Sequence, residues 1–149
     1  MSTHYQGTPT EINALDTYIK LSRAAESVEA HINCYLKDHS LTWSQFGVLE
    51  VLYHLGPLHQ QELAVKILKS RGNLTMVIDN LVKRGLVERE RDETDRRYIT
   101  ICLTPGGQRL ISSIFPTHVA QVVAVMGALT SAEQQQLGQL CRKLGLAQG

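Results

Sequence analysis

The 149-residue sequence predicts a mainly α-helical fold with a small β-hairpin wing: a winged helix-turn-helix with further helices before and after it. The first observation behind this is an apolar stripe at helical spacing, followed by Gly85, where a left-handed residue would end the helix. The second is a short β-like run after Gly85 and an alternating run over residues 98–103, its returning strand. The third is the loop between them, residues 91–97, in which six of seven residues are charged. The stripe consists of Leu74, Val77, Ile78 and Leu81.

Two helices are predicted ahead of this stretch. Apolar residues recur at three- and four-residue steps from Thr10 to about Asp38, which predicts one long first helix. Its apolar face is larger than the core of one small subunit needs, which indicates a contact with another subunit. The second helix begins with a capping box, in which Thr42 is the N-cap and Gln45 bonds back to it, and it ends at the Gly-Pro pair of residues 56–57.

The helix-turn-helix itself is predicted from residue 59 onward. A short third helix runs from His59 to about Leu68, residues 69–72 form the turn, and Ser70 is the N-cap of the fourth helix. A helix presented in this way fits the major groove of DNA, and a charged hairpin loop can reach the neighbouring minor groove. The residues therefore predict a DNA-binding regulator.

Two more helices are predicted after the hairpin. Thr104 supplies a capping hydroxyl and Pro105 suits the first position of a helix, which continues to about Ala128. A second capping box, Thr130 with Glu133, opens the last helix. No apolar run approaches the roughly 20 residues of a membrane span, and the first residues lack the pattern of a signal peptide. We therefore expect a cytoplasmic protein without a membrane partner.

Charge and the inventory of motifs narrow the function classes. The net charge is only +1, but residues 69–97 hold eight Lys or Arg and six Asp or Glu, whereas residues 1–40 hold three and five. A dimer would double this local positive excess.

A winged helix used only for contact with another protein stays an alternative. The salt dependence of binding would distinguish it from DNA binding. The sequence has no phosphate loop, no paired nucleophile and base and no metal-ligand motif, so we expect neither an enzyme nor a cofactor.

The cysteines and histidines leave two minor alternatives. The three cysteines are far apart in sequence, so neither a disulfide scaffold nor a zinc finger is expected. Cys102 and Cys141 lie at or beside apolar positions and are predicted to be buried, whereas Cys34 lies off the stripe of its helix and is an alternative redox site. His54 and His59 flank the Gly-Pro turn and are an alternative metal site, although helical spacing and cysteine support are missing.

Several short motifs follow one another in order within about residues 12–145. They are Leu41, Thr42, Gln45, Phe46, Val48 and Leu49; Gly56, Pro57 and Leu58; Leu63 and Ala64; Leu74 and Thr75; Asp79 and Leu81; Gly85, Leu86 and Val87; Asp95, Arg96 and Arg97; and Leu103, Thr104 and Gly107. Each motif alone is weakly specific, but their combined order resembles that of the MarR-type transcriptional regulators. Peroxide-sensing members of that family carry a reactive cysteine near the start of the first helix, and Tyr18 stands at the aligned position here, so peroxide sensing is not implied.

The resemblance implies a single domain over residues 1–149 that acts as an obligate homodimer. The DNA-binding lobe would span about residues 42–104. The N-terminal and C-terminal dimerisation helices would span about residues 10–39 and 105–146. The two lobes would bind double-stranded DNA at a pseudo-palindromic operator, with half-sites about one helical turn apart. Binding in this family usually represses transcription, and a small molecule or an oxidant often relieves the repression. By analogy, the effector would bind between the dimer helices and the lobe.

The exposed face of the fourth helix is the predicted major-groove reader. Asn73, Met76 and Asn80 recur at i, i+3 and i+7 opposite the apolar stripe. An asparagine amide can pair with adenine, a methionine can touch the thymine methyl group, and Arg71 can reach guanine or a phosphate. The alternative is an ordinary solvated helix face. The predicted DNA-binding residues are Ser70, Arg71, Asn73, Thr75, Met76 and Asn80 in the helix-turn-helix and Arg91, Asp95, Arg96 and Arg97 in the wing.

In the wing, the resemblance implies that Asp95 orients Arg97, which enters the minor groove. A guanidinium suits that position because it is weakly hydrated and narrow grooves are strongly negative. Arg91 and Arg96 are predicted to contact phosphates, and Thr94 stands where many relatives carry a further arginine. The alternative is a charged hairpin tip that only keeps the protein soluble.

Aromatic residues in the first two helices are candidates for a pocket that binds a flat aromatic effector, with a histidine as its polar contact. Aromatic residues at helical spacing are also common in a plain core, so both interpretations stay open. The residues concerned are His31, Tyr35, Trp43, Phe46 and Tyr53.

Overall fold

The computed structural model describes residues 1–67 and 74–149; most of these residues are helical, and the strands form one small antiparallel sheet. The helices are α1 (Pro9–Asn33), a 3₁₀ helix (Cys34–His39), α2 (Trp43–Leu55), α3 (Gln60–Lys66), α4 (Leu74–Lys83), α5 (Pro105–Met126) and α6 (Ser131–Leu146). The strands are β1 (Leu58–His59), β2 (Val87–Arg91) and β3 (Ile99–Leu103). This order confirms the mainly helical class with a β-hairpin wing.

The chain divides into two compact units, which we call the lobe (residues 33–118) and the helical unit (residues 1–32 with 119–149). The lobe has a hydrophobic core in which Phe46, Ile78 and Ile101 have no exposed surface. Side chains on either side of residues 42–104 are buried in this same core. These added core residues are Tyr35, Leu36, Leu41, Ile111 and Ile114.

The end of the first helix differs from the prediction. The α-helix ends at Asn33 instead of continuing to about Asp38, and the 3₁₀ helix replaces its last turns. Ser40 then adopts a left-handed conformation with φ 54°, and its N–H donates to the carbonyl of Lys37. The apolar repeat continues through this change of helix type, so helical periodicity alone could not locate it.

The sheet has one more strand than the predicted hairpin. β3 lies in the middle and pairs antiparallel with β2 on one side and with β1 on the other, where Leu58 lies opposite Ile101. His59 is therefore the end of a strand, and the third helix begins at Gln60 instead of at His59 and ends at Lys66. A two-residue strand is too short to show an alternating pattern, which is why the sequence did not indicate it.

The predicted caps at Thr42, Gly85, Thr104 and Thr130 are confirmed, whereas the predicted N-cap Ser70 lies outside the described residues. Both capping boxes are formed, with Thr42 and Thr130 as the N-caps of α2 and α6. The Thr104 hydroxyl accepts a hydrogen bond of 3.0 Å from the N–H of Gly107 at the start of α5. Gly85 is left-handed with φ 69° after α4, and the N–H of Leu86 donates to the carbonyl of Leu81, which is the pattern of a Schellman cap.

The apolar face of α6 is open to solvent in the single chain. None of the α6 residues, all of which the structure describes, is buried. The prediction that Cys141 is buried is therefore wrong, because it shares this open face with Leu140 and Leu144. Cys102, on β3, is half-buried, and Cys34 is exposed.

α5 differs from the expectation that no segment approaches the length and apolar character of a membrane span. This helix has 22 residues. Among the described residues it is long enough and apolar enough to cross a membrane, judged by length and composition only. Polar residues such as Ser112, Ser113 and His118 interrupt its apolar runs, so a search for an unbroken run overlooked it. Within the lobe this helix buries Ile111, Ile114 and His118, so one side of it belongs to the core of the lobe.

Candidate nucleic-acid interface

α4 presents one face to the lobe core and the other to solvent. Leu74, Ile78 and Leu81 are at most 5% exposed, whereas Met76 is 63% exposed and Asn80 also lies on the solvent side. This is the division that the apolar stripe predicted. The predicted DNA-binding residues Ser70, Arg71 and Asn73 lie outside the described residues.

The tip of the wing is closed by a turn around Asp92. The Asp92 carboxylate accepts hydrogen bonds from the N–H of Thr94 at 2.8 Å and from its hydroxyl at 2.6 Å. These bonds from Thr94 lower the pKa of the Asp92 carboxyl. Thr94 thus serves as a loop-closing residue in this wing. Arg91 and Arg96 are exposed on either side of the turn.

Asp95 and Arg97 form a two-point ion pair. The Arg97 Nε donates to Asp95 Oδ1 at 3.0 Å and its Nη2 donates to Oδ2 at 2.8 Å, while the backbone N–H of Arg97 also donates to Oδ1 at 3.1 Å. The side-chain bond from Arg97 lowers the pKa of the Asp95 carboxyl, and the same bond raises the pKa of Arg97. The Arg97 side chain is 86% exposed, so the donors that Asp95 does not use face the solvent.

A small cavity of about 190 Å³ opens beside Arg97 at the loop end of the wing. It is lined by Gln60, Gln61 and Tyr98 as well as His59 and Arg97. Sequence reasoning missed the two glutamines and the tyrosine, because only the pairing of β1 with β3 brings residues 59–61 next to residues 97–99.

The alternative metal site is not assembled in the described part of the chain. His59 Nδ1 lies 3.2 Å from the Thr100 hydroxyl, and its ring packs against Tyr98. His54 packs instead against the rings of Tyr53 and Phe115. Among the residues that the structure describes, no three His, Cys, Asp or Glu side chains converge.

Three of the predicted pocket residues come together in the lobe. Trp43 stacks on Phe46 with ring centroids 6.0 Å apart, and Tyr35 meets Phe46 edge-on at 6.5 Å. Tyr53 joins the cluster through Phe115, whose ring centroid lies 5.9 Å from that of Tyr53. Sequence reasoning missed His118, whose ring centroid is 4.6 Å from that of Phe46.

Two of the predicted pocket residues, Trp43 and His31, line different cavities. Trp43 lines a lobe cavity of about 180 Å³ together with Glu50 and Lys66. His31 belongs to the helical unit, where it lines a cavity of about 410 Å³ and its Nδ1 lies 3.1 Å from the carbonyl oxygen of Ser27. The sequence therefore indicated the right aromatic residues for one cluster but not which of them border open space.

Comparisons with known proteins agree with this geometry. Residues 41–99 match the model of the MarR family. The chain is 35% identical over 133 residues to the HTH-type transcriptional regulator MhqR of Bacillus subtilis. This match covers 89% of this chain and 92% of that protein. Two solved structures are similar over most of their length.

The first is Sco3205, a MarR family transcriptional regulator from Streptomyces coelicolor, in complex with DNA. It has a TM-score of 0.83 at 25% identity, and the match covers 95% of this chain and 90% of that chain. The second is BpsR of Bordetella bronchiseptica, whose DNA binding is regulated by 6-hydroxynicotinic acid. It has a TM-score of 0.79 at 27% identity, with 87% and 98% of the chains covered.

Proposed function

Because the chain belongs to the MarR family of DNA-binding transcriptional regulators, we propose that it is a repressor that binds a pseudo-palindromic operator as a homodimer. In this proposal α4 reads the major groove and Arg97 enters the adjacent minor groove. A chromosomal operator as ligand implies a cytoplasmic location.

The observation that carries the proposal is the Asp95–Arg97 pair. An arginine held by two hydrogen bonds at the end of an exposed wing has lost part of its conformational freedom before any ligand arrives, which reduces the entropic cost of binding. A guanidinium is also the cation that loses least on leaving water, and a narrow minor groove attracts it strongly. Both properties favour insertion into DNA over a purely solubilising role.

The helix contributes the sequence-reading part of the proposal. Met76 and Asn80 are exposed on the face of α4 opposite its buried stripe, where they can reach base edges. Asn73 and Arg71 are proposed as further base or phosphate contacts, and Ser70 as the residue that caps this helix. Arg91 and Arg96 are proposed to hold phosphates on either side of the wing.

The homodimer is supported by the helical unit. α1, α5 and α6 leave several large apolar side chains exposed in the single chain, and apolar patches of this kind mark subunit contacts. A twofold pair of lobes would place the two recognition helices on successive turns of the duplex. The exposed apolar residues of this unit include Leu15, Tyr18, Leu21, Val123, Leu137, Leu140 and Leu144.

We further propose that a small aromatic molecule releases the repressor from DNA. BpsR, whose DNA binding responds to an aromatic acid, is similar to this chain over most of its length. Trp43, with Glu50 and Lys66 beside it, offers a ring and two charged groups around open space, and His31 offers a ring nitrogen in the helical unit.

The test is a gel shift on the DNA upstream of the protein's own gene, with and without a panel of phenols, quinones, aromatic acids and oxidants. Arg97→Ala is expected to weaken operator binding about tenfold or more, because one preorganised minor-groove contact is lost. Arg142→Ala, which removes the same charge from α6, is the matched control and should bind nearly as the wild type does. Normal operator affinity of a folded Arg97→Ala variant would refute the role of the wing.

Salt dependence separates DNA binding from a winged helix that contacts another protein. Binding to the operator should weaken steeply and linearly in a double-logarithmic plot as salt rises, because phosphate contacts release counterions. A flat salt dependence of complex formation would favour the protein-contact alternative instead.

A further inference from the structure

We propose that Arg89 and Asp79 fix the recognition helix to the wing, and that this α4–wing contact (Arg89 with Asp79 and Thr75) sets the affinity for specific sequences without touching DNA itself. The inference rests on the proposed operator binding and names positioning residues for it. Neither Arg89 nor the α3 residue that supports the contact was singled out from the sequence.

The contact joins the side chain of a strand residue to one full turn of the helix. Arg89 Nη2 lies 2.6 Å from Asp79 Oδ1, and the same nitrogen donates to the carbonyl oxygen of Thr75 at 3.4 Å. Thr75 and Asp79 are four residues apart, so they lie on one face of α4, one above the other. A single guanidinium therefore holds the first and the middle turn of the recognition helix.

The strand side of the contact follows from the alternation of β2. Val87, Arg89 and Arg91 share one face of this strand, and Val87 is buried at 1% exposure. Arg89 occupies the next inward position, where its side chain is 29% exposed. A charge at such a position needs a partner, and Asp79 on the neighbouring helix supplies it.

A second hydrogen bond holds the same residue of α4 from the other side. Gln60 Nε2, at the start of α3, donates to the Thr75 hydroxyl at 3.3 Å. Thr75 is thus tied to α3 through its side chain and to β2 through its carbonyl group. In this proposal Thr75 positions α4 and is not one of the base-reading residues, which revises the role predicted for it from the sequence.

The consequence is a fixed distance between the two DNA-contacting parts. Met76 and Asn80 lie on α4, and Arg97 lies at the end of the hairpin that β2 begins. If α4 is fixed to β2, the residues that contact the major groove and the minor groove already have the right relative position. Binding then requires no loss of conformational entropy to align them. Specific binding needs both contacts in register, whereas non-specific binding to phosphates does not.

This proposal and simple electrostatics predict opposite signs for one substitution. Asp79 is an acidic side chain, 46% exposed, on the element that approaches DNA. If only charge counted, Asp79→Asn would strengthen binding to every duplex, because it removes a repulsion with phosphates. If the α4–wing contact positions the helix, the same substitution weakens binding to the operator.

The experiment measures the affinity of the full-length protein for its operator and for a scrambled duplex of equal length, at two salt concentrations. For Asp79→Asn we expect operator affinity to fall about tenfold, with unchanged or higher affinity for the scrambled duplex and an unchanged salt slope. Glu88→Gln, which neutralises a carboxylate on the opposite face of β2, is the matched control and should not lower operator affinity. If Asp79→Asn behaves like Glu88→Gln, the proposal is overturned.

A charge swap guards against a variant that merely folds badly. The double variant Asp79→Arg with Arg89→Asp keeps the net charge and the ion pair but not the hydrogen bond to the Thr75 carbonyl, and it should recover part of the ratio of operator to scrambled affinity. No recovery in a double variant with wild-type helicity would overturn the proposal. If the wild-type protein does not prefer the operator over the scrambled duplex, the proposed function has failed, and that result is distinct from a failure of the contact.

Discussion

The His118 side chain is 8% exposed and lies among the rings of Tyr35, Trp43, Phe46 and Phe115. Its Nδ1 is 3.1 Å from the Tyr35 hydroxyl. Burial lowers the pKa of His118, with Glu50 acting in the opposite direction, and burial together with Glu50 raises the pKa of Tyr35 to about 12. The lobe core therefore contains a neutral imidazole that resists protonation.

This burial gives the free energy of unfolding a defined pH dependence. A histidine in the unfolded chain takes up a proton near pH 6.5, but folded His118 does so only at lower pH. As the pH falls below about 6.5, protons therefore favour the unfolded chain, and stability decreases by at most about 1.4 kcal/mol per pH unit until the folded pKa is reached. We predict that His118→Gln lacks this component, so that its unfolding free energy falls less steeply than that of the wild type between pH 7.5 and 5.5.

Urea unfolding at fixed protein concentration measures both curves. His4→Gln is the matched control for the loss of one imidazole, because that side chain is exposed in the N-terminal arm. It is expected to follow the wild-type pH dependence. A His118→Gln curve parallel to that of the wild type would show that His118 is not the group responsible.

Individual residues differed in how far the sequence could identify them. The Asp95–Arg97 pair was predictable because its two members are two residues apart in one short loop. His118 was not, because its partner Tyr35 lies 83 residues earlier and only packing brings the two together. Arg89 was overlooked for the same reason: its acidic partner lies on a helix, and a charged residue on an edge strand is usually read as solvent-facing.

At the scale of elements, the turn from α4 into β2 depends on a close approach by α5. A Cβ atom on Gly107 would lie 1.9 Å from the carbonyl oxygen of Leu86, in the turn that follows Gly85. The Thr104 hydroxyl at the start of α5 also donates to the carbonyl of Gly85 at 2.5 Å. The start of α5 thus supports the turn that ends the recognition helix.

We predict that Gly107→Ala destabilises the lobe by about 1–3 kcal/mol, because the added methyl group must push the backbone of Leu86 away. Gly47→Ala is the matched control: that glycine is also within a helix of the lobe, and a Cβ there would meet nothing within 4 Å. Gly47→Ala should stabilise the lobe by up to about 1 kcal/mol, because alanine has a higher helix propensity than glycine. Thermal or urea unfolding distinguishes the two, and equal stability of both variants would contradict the close approach.

Element boundaries were predictable where a local capping motif marks them. Thr42, Thr104, Thr130 and Gly85 each end or begin a helix through bonds to residues three to five positions away, and each was recognised from sequence. The 3₁₀ helix and β1 were not recognised, because the first keeps the apolar spacing of an α-helix and the second exists only through its pairing with β3.

At the scale of the whole molecule, periodicity shows that a helix has an apolar face but not which surface covers it. The stripe on α6 predicts a buried face that includes Cys141, yet no residue of this helix is buried in one chain. α1 and α6 together line an open apolar groove of about 320 Å³ in the helical unit. Leu21, Leu137 and Leu140 are among its walls, which is the kind of surface that a homodimer removes from water.

A single charge on this groove should therefore separate the subunits. Leu140 is 56% exposed in the single chain, and Leu140→Glu would place a carboxylate at the proposed dimer contact, where desolvating it costs several kcal/mol. We expect the wild type to have twice the mass of one chain in light scattering, and Leu140→Glu to have the mass of one chain with normal helicity and no stable operator complex. Leu55→Glu is the matched control, because Leu55 is 55% exposed and lies in the lobe, outside the proposed dimerisation helices. A dimeric Leu140→Glu protein, or a Leu55→Glu protein that becomes monomeric to the same extent, would place the subunit contact elsewhere.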